Sequence, residues 1–273
     1  MDINHIERPS LNKQHVFHIC ISANHPYLKH HKVNNYAVLP GAASLKIAFE
    51  ISKKTFPLTQ WNCIEETFWF SPIESKEATD IELLLFLKIT SPTCLNYSFQ
   101  SYNGNVYASG LIKHIKESYD MRNVKEMIND LQKDNSLKLI THNDAYEEFS
   151  NIGITYGSFF KSIRHVKVKN NYGIARISCK QGELEFVNLL DGAFQSGMAI
   201  SKGDNLPHLM PISLGKLIFH KNLNINPSGT YIVFTEKINR FRTNIKIFDE
   251  KMTDCLSVLD LGIRSGNFHN KSK

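Results

Sequence analysis

Three clusters in this chain bring together side chains able to move protons. The densest is His25-Pro-Tyr-Leu-Lys-His30-His31-Lys-Val-Asn-Asn35-Tyr-Ala-Val-Leu-Pro40-Gly41. Three histidines in seven residues suggest metal ligation. However, the adjacent His30 and His31 point in different directions in an extended chain, and no cysteine or carboxylate completes a ligand set, so no metal is expected. Histidine also suits proton abstraction near neutral pH, its ordinary pKa being about 6.5. By composition alone, a surface histidine pair competes with a catalytic histidine. The second cluster is Asn188-Leu-Leu-Asp191-Gly-Ala-Phe-Gln195-Ser-Gly197. Asp191 sits in an otherwise apolar helical pattern, which is costly unless the carboxyl is hydrogen-bonded, and Gln195 lies one helical turn on. Such a setting raises a carboxyl pKa and suits a general acid; a carboxylate solvating a helix edge is the alternative. The third, Gly153-Ile-Thr-Tyr156-Gly157-Ser-Phe159-Phe160, reads as a glycine turn entering a strand, with Tyr156 a phenol that needs a partner if buried.

The elements that must position these residues follow from periodicity. Residues 41–54 form a largely buried helix starting after Pro40, with Leu45, Ala48, Phe49 and Ser52 at helical spacing. Strands are expected at 61–70, at 80–90 with Ile81, Leu83, Leu85, Leu87 and Ile89 alternating, and at 95–102 and 106–115 across an Asn103-Gly104-Asn105 turn. Residues 116–140 are charged and read as a surface linker with a modest amphipathic helix around Val124, Ile128 and Leu131. Beyond it come a short helix at 143–149, capped by Asn143 or Thr141, and strands at 160–168 and 172–179. A helix at 186–200 and strands at 212–220, 230–238, 243–248 and 255–263 complete the pattern. A helix with a curved antiparallel sheet, twice over, makes an α+β chain of two similar halves. The expected division is 1–115, carrying the histidine, 116–140 as linker, and 141–273, carrying the aspartate.

Composition bounds the rest. In 273 residues, 42% are hydrophobic and 21% charged, which excludes a disordered, collagenous or low-complexity chain. No run of about 18 apolar residues occurs and the N-terminal stretch lacks an apolar signal core, so neither a membrane span nor export is expected. Five scattered cysteines fit a reducing, cytoplasmic setting. The net charge of +6 could attract nucleic acid, an anionic membrane or an acidic protein, but no aromatic-interleaved basic stripe or zinc-finger spacing supports nucleic-acid binding.

Taken in order, the clusters resemble the dehydratase domains of modular polyketide synthases. The family pattern His-x-x-x-Gly-x-x-x-x-Pro looks like His31 to Pro40, with Asn35 in place of glycine. Asp-x-x-x-Gln/His looks like Asp191 to Gln195. Gly-Tyr-x-Tyr-Gly-Pro-x-Phe is similar to Gly153 to Phe160, with Ile154 and Ser158 as departures. His25-Pro-Tyr-Leu, Gly41-Ala-Ala and Leu206-Pro-His-Leu-Met-Pro211 resemble flanking family segments. The resemblance implies a double hotdog fold, in which each half wraps a curved antiparallel sheet around a central helix. It also implies a 3-hydroxyacyl thioester substrate on the phosphopantetheine arm of an acyl carrier protein, with no further cofactor. Neighbouring synthase domains and a second copy in a homodimer are the implied partners.

By the same resemblance His31 is the base that removes the proton beside the thioester, and Asp191 donates a proton to the leaving hydroxyl or orients the water produced. Gln195 fixes the Asp191 carboxyl, Tyr156 lines the pocket, and backbone amides near Asn35 or Gly41 polarise the carbonyl. Pro40 and Gly157 complete the expected supporting set. Asn tolerates the left-handed conformation of a motif glycine, so the turn can survive at Asn35. Relatives that only shift double bonds tend to lose the aspartate or the motif proline, and both are present here. Pyran-forming relatives also show altered motifs, so ring closure after dehydration stays open. A non-catalytic docking module and a hotdog thioesterase are the remaining alternatives.

Overall fold

A computed structural model of the chain describes residues 1–5, 14–75, 79–116, 123–179, 185–200, 209–220 and 229–265. The expected segment Leu206-Pro-His lies outside these. In the first half, β1 (Asp2–His5), β2 (His15–Ile21) and α1 (Pro26–Lys29) precede a hairpin of β3 (His31–Val33) and β4 (Tyr36–Val38). Then come α2 (Gly41–Thr55), β5 (Cys63–Trp69), β6 (Glu74–Ser75), β7 (Ile81–Ser91), β8 (Cys94–Gln100) and β9 (Val106–Lys113). The second half runs α3 (Val124–Lys133), β10 (Lys138–Thr141), α4 (His142–Asn151), β11 (Ile154–Tyr156), β12 (Ile163–Lys169), β13 (Tyr172–Ser178) and α5 (Glu185–Ile200). It ends with β14 (Leu209–Phe219), β15 (Thr230–Asn239), β16 (Arg242–Phe248) and β17 (Asp254–Ser265).

Two antiparallel sheets, each around one central helix, are joined edge to edge. The strand order is β1-β2-β7-β8-β9-β5-β14-β17-β16-β15-β13-β12-β10, a single 13-stranded sheet whose seam is β5·β14, with Lys216 opposite Glu65. At that seam the carboxylate of Glu65 meets Lys113 of β9 at 2.6 Å and Lys216 of β14 at 3.1 Å. The strict alternation in β7 buries Ile81, Leu83, Leu85 and Leu87 on one face. These close over α2, whose Ala42, Ala43, Leu45, Ile47, Ala48 and Phe49 are buried with them in one core. Every residue of α5 from Phe186 to Ile200 is buried, the polar Asn188, Asp191, Gln195 and Ser196 among them. The two helices touch. A second, four-stranded sheet, β11-β3-β4-β6, links the halves again, because β11 of the second half pairs with β3 of the first.

Several boundaries differ from the sequence reading for local reasons. The strand expected at 160–168 begins at Ile163, because Phe160 and Lys161 turn back to donate to the Gly157 carbonyl. β3, β4 and β11 have three residues each, too few to show a period. β2 was hidden because its buried face carries His15 among Phe17, Ile19 and Ile21. Thr141, not Asn143, caps α4: its hydroxyl accepts from the Asp144 amide and the Asp144 carboxylate accepts from the Thr141 amide. α3 buries Val124 and Ile128 against Ile174, Ile232, Phe234 and Phe248. Among the described residues no helix is long and apolar enough to cross a membrane.

Because Leu45 is fully buried in α2 and Leu58 is 98% exposed just past its end, the two leucines should respond differently to truncation. Leu45→Ala should cost about 2–5 kcal/mol in denaturant unfolding, and Leu58→Ala should stay within about 0.5 kcal/mol of wild type. Equal costs would contradict the placement of α2 at the centre of its half.

Candidate functional site

The site begins at the β3–β4 hairpin. Its turn residues Asn34 and Asn35 are both left-handed, with φ of 49° and 69°, the conformation a two-residue hairpin turn favours and asparagine tolerates. The Asn34 amide donates to the Gly153 carbonyl at 2.7 Å. Asn35 is exposed and does not line the cavity described below. This corrects its expected place beside the thioester: the length of β3 carries the turn about 10 Å from His31. At the other end of β3 His31 is buried, 7% exposed, and its Nδ1 meets the Val38 carbonyl at 2.8 Å. A carbonyl only accepts, so Nδ1 carries the hydrogen and the neutral ring leaves its lone pair on Nε2. Burial holds the His31 imidazole below its ordinary value, against the opposing pull of Asp191 and of the Val38 carbonyl.

The structure separates the three clustered histidines. His25 is the N-cap of α1, its Nδ1 accepting from the Tyr27 amide. His30 packs against the Phe159 ring and over Gly157. Only His31 reaches the cavity.

β11 brings the second half to this histidine. Tyr156 lies directly opposite His31 in the β3·β11 ladder, with ring centroids 5.4 Å apart, and the Gly157 amide donates to the His30 carbonyl at 2.8 Å. A Cβ at Gly157 would stand 2.2 Å from His30 Nδ1 and 3.0 Å from His30 Cα. The glycine is therefore what lets β11 approach β3. Tyr156 is buried, and burial pushes its phenol well above the ordinary value, so it stays protonated.

Asp191 faces the same cavity from α5, 5% exposed. Gln195, four residues on, donates from Nε2 to Asp191 Oδ2 at 2.7 Å and to the Phe160 carbonyl at 3.0 Å. Burial pushes the Asp191 carboxyl above its ordinary value, against the pull of His31 and of the Gln195 hydrogen bond. Asn188 donates to the Phe159 carbonyl, tying α5 to the loop after β11. Of the other expected supporting residues, Gly41 lines the cavity, whereas Pro40 is the N-cap of α2 and lies behind it.

The cavity, about 70 Å³, lies between the start of α2 and α5. Apart from His31 and Asp191, its walls are mainly apolar: Val33, Val38, Leu39 and Ile73 from the first half, and Phe194, Met198, Met210 and Ile212 from the second. Trp69 closes it over Gly41; its Nε1 donates to Ser44 Oγ at 3.1 Å, and the Ser44 hydroxyl donates to the Gly41 carbonyl at 2.7 Å. A Cβ on Gly41 would meet the indole at 3.1 Å. Trp69 and Ser44 escaped the sequence reading, as did Tyr146, whose hydroxyl donates to Gln195 Oε1 at 2.8 Å. None of them stands in a motif, and only the fold assembles them. The arrangement faces an imidazole pushed towards its neutral form and a carboxyl pushed towards its protonated form across a mainly apolar space, fit to remove one proton and deliver another.

Residues 4–102 match the family model of the polyketide synthase dehydratase domain. The polyketide synthase PksN of Bacillus subtilis (strain 168) is 24% identical over 275 residues, covering 93% of this chain; the chain spans only 5% of that protein's length. Among solved structures, the dehydratase domain of a mycocerosic acid synthase-like polyketide synthase superposes with a TM-score of 0.81 at 17% identity, covering 97% of this chain and 95% of its own. The dehydratase domain from the CurF module of curacin polyketide synthase gives 0.79 at 18% identity, covering 97% of each. The likeness to these structures shows the double hotdog fold. The resemblance drawn from three short motifs is borne out by the family model and by the PksN match.

The two buried groups affect stability in opposite pH ranges. The folded chain resists protonation of His31, so its contribution is present above the unfolded value of about 6.5 and is lost as pH falls. Asp191, with its value raised, contributes below about 3.9 and loses that contribution as pH rises through its folded value. Asp191→Asn should therefore raise the Tm at pH 8 by about 2–4 °C, the gap closing towards pH 4. Thermal unfolding across that range is the measurement, and a pH-independent gap would count against a raised carboxyl.

Proposed function

We propose that this site removes water from a 3-hydroxyacyl thioester, carried on the phosphopantetheine arm of an acyl carrier protein, to give an α,β-unsaturated thioester. The family model supports dehydration in polyketide synthesis as the general reaction. The observation that carries the reading is that His31 and Asp191 line one apolar cavity together, burial pushing the imidazole towards its neutral form and the carboxyl towards its protonated form. His31 Nε2 takes the proton from the carbon beside the thioester carbonyl, and those bonding electrons form the new double bond. The bond to the β-oxygen breaks as Asp191 hands its proton to the leaving hydroxyl, which departs as water. His31 is left cationic and Asp191 anionic, and a proton passing from one to the other restores both.

Burial pushes each group towards its starting form, while the Gln195 N–H favours the carboxylate that forms during the step. Tyr156, opposite His31, closes the wall where the two groups meet. Gly41 and the start of α2 lie where the thioester carbonyl would be polarised. Asn35, the altered motif residue that left ring closure open, keeps its left-handed turn and stands away from the cavity lining. The proposal therefore stops at dehydration. The acyl carrier protein, neighbouring synthase domains, a homodimer and a cytoplasmic setting belong to this reading. The net charge of +6 favours encounter with an acidic carrier protein, an attraction that added salt should weaken.

Mass spectrometry of 3-hydroxyacyl pantetheine and carrier-protein thioesters tests the proposal. Wild type should release one water, with a bell-shaped pH profile: the acid limb reports His31 and falls below its ordinary value, and the basic limb reports Asp191 and falls above its own. His31→Ala and Asp191→Asn should each lower the rate by about 10²–10⁴-fold. Free acid as product would indicate a thioesterase, and unaltered substrate a docking module. Either result overturns the reading.

A further inference from the structure

We propose that Tyr146, on α4 and outside all three motifs, is a positioning residue for Asp191: its hydroxyl pins the Gln195 amide so that the N–H side faces the carboxyl. This rests on the reading of Asp191 as the proton donor.

Hydrogen-bond direction makes the argument. The Ile163 amide can only donate, and it reaches the Tyr146 oxygen at 3.0 Å. The single phenolic proton must then go elsewhere. Its nearer acceptor is Gln195 Oε1 at 2.8 Å; the Phe160 carbonyl lies at 3.3 Å and already takes Gln195 Nε2 at 3.0 Å. A flipped amide would turn its oxygen towards the Phe160 carbonyl, acceptor against acceptor, and would set its N–H against the Tyr146 hydroxyl proton, donor against donor. The run Ile163 N–H to Tyr146 O–H to Gln195 Oε1, with Gln195 Nε2–H to Asp191 Oδ2, therefore has one direction. Phe160 holds the nitrogen side of the amide and Tyr146 the oxygen side.

Tyr146 is itself fixed. Its ring packs edge-on against Tyr156 and lies against His142, whose Nδ1 meets the Ile163 carbonyl at 2.7 Å, so Ile163 is gripped at both its N–H and its C=O. The Thr141–Asp144 capping box fixes the start of α4 that carries both side chains. Burial pushes the Tyr146 phenol up, so the donor persists across the working pH range. Among the described residues, the titratable groups that feel the Asp191 charge are His31 from β3, Tyr146 from α4 and Tyr156 from β11.

Steady-state kinetics of Tyr146→Phe, Gln195→Leu and the double variant test this, with Asp191→Asn alongside. Tyr146→Phe keeps the ring contacts and removes only the hydroxyl. It should lower kcat by between about 10- and 100-fold with KM nearly unchanged. It should also move the basic limb of the pH profile to higher pH, because the carboxylate loses a directed donor. In the Gln195→Leu background the same change should cost nothing further. An equal loss in both backgrounds, or lost activity with the wild-type basic limb, would show a packing role and overturn the proposal. An active Asp191→Asn enzyme would overturn the acid assignment instead, and the two failures are distinct because the first leaves Asp191→Asn inactive.

Discussion

The antiparallel pairing of β3 with β11 is the constraint on which the site depends. Each half has its own central helix and contributes its strands to one continuous sheet and core, yet neither holds a complete set of reacting groups. Three ladder positions set Tyr156 against His31, and the Gly157 amide locks the approach onto the His30 carbonyl. α5 then delivers Asp191 to the same space, against the N-terminal turn of α2. The seam at β5·β14 does mechanical work of the same kind, with Glu65 between two lysines from the strands on either side. Two independent strand pairings between the halves leave little freedom for the histidine and the carboxyl to drift apart.

Burial is what prepares both groups. The same removal from water pushes the imidazole towards its neutral form and the carboxyl towards its protonated form. No fixed charge beside them is needed to set the starting state. The hydrogen bonds then divide the labour: Val38 selects which imidazole nitrogen is the base, and Gln195 prepares for the anion that Asp191 becomes. Stability is given up for this, since a well-hydrated Asp191 would cost the fold less at neutral pH.

Much of this was legible in the sequence, and the rest was hidden for physical reasons. The alternation in β7, the helix after Pro40 and the polar Asp191 in an apolar run each carry a periodic or energetic signal in a single stretch of chain. Three motifs gave order and spacing to His31, Tyr156 and Asp191. What could not be read are contacts made between distant stretches. β3, β4 and β11 are too short to show a period and exist because they pair with one another. Trp69 over Gly41, and Tyr146 behind Gln195, look like ordinary aromatics in a strand and a short helix. By residue type alone His25 and His30 compete with His31, which only its motif singles out; the structure makes one a helix cap and the other a packing partner of Gly157. Asn35 was placed near the chemistry by motif position, whereas the length of β3 carries it to the surface.

The seam between the halves has a consequence for how the chain is made. β5 is an interior strand only once β14 has paired with it, and about 140 residues separate the end of one from the start of the other. At about 5–20 residues per second, ribosomal synthesis leaves that edge waiting for roughly 7–28 seconds. During that time the growing chain presents unpaired backbone alongside Phe68 and Phe70, which remain exposed even in the finished structure. Open edges with aromatic neighbours invite pairing with the wrong strand. Only the arrival of β14 from the second half removes this edge.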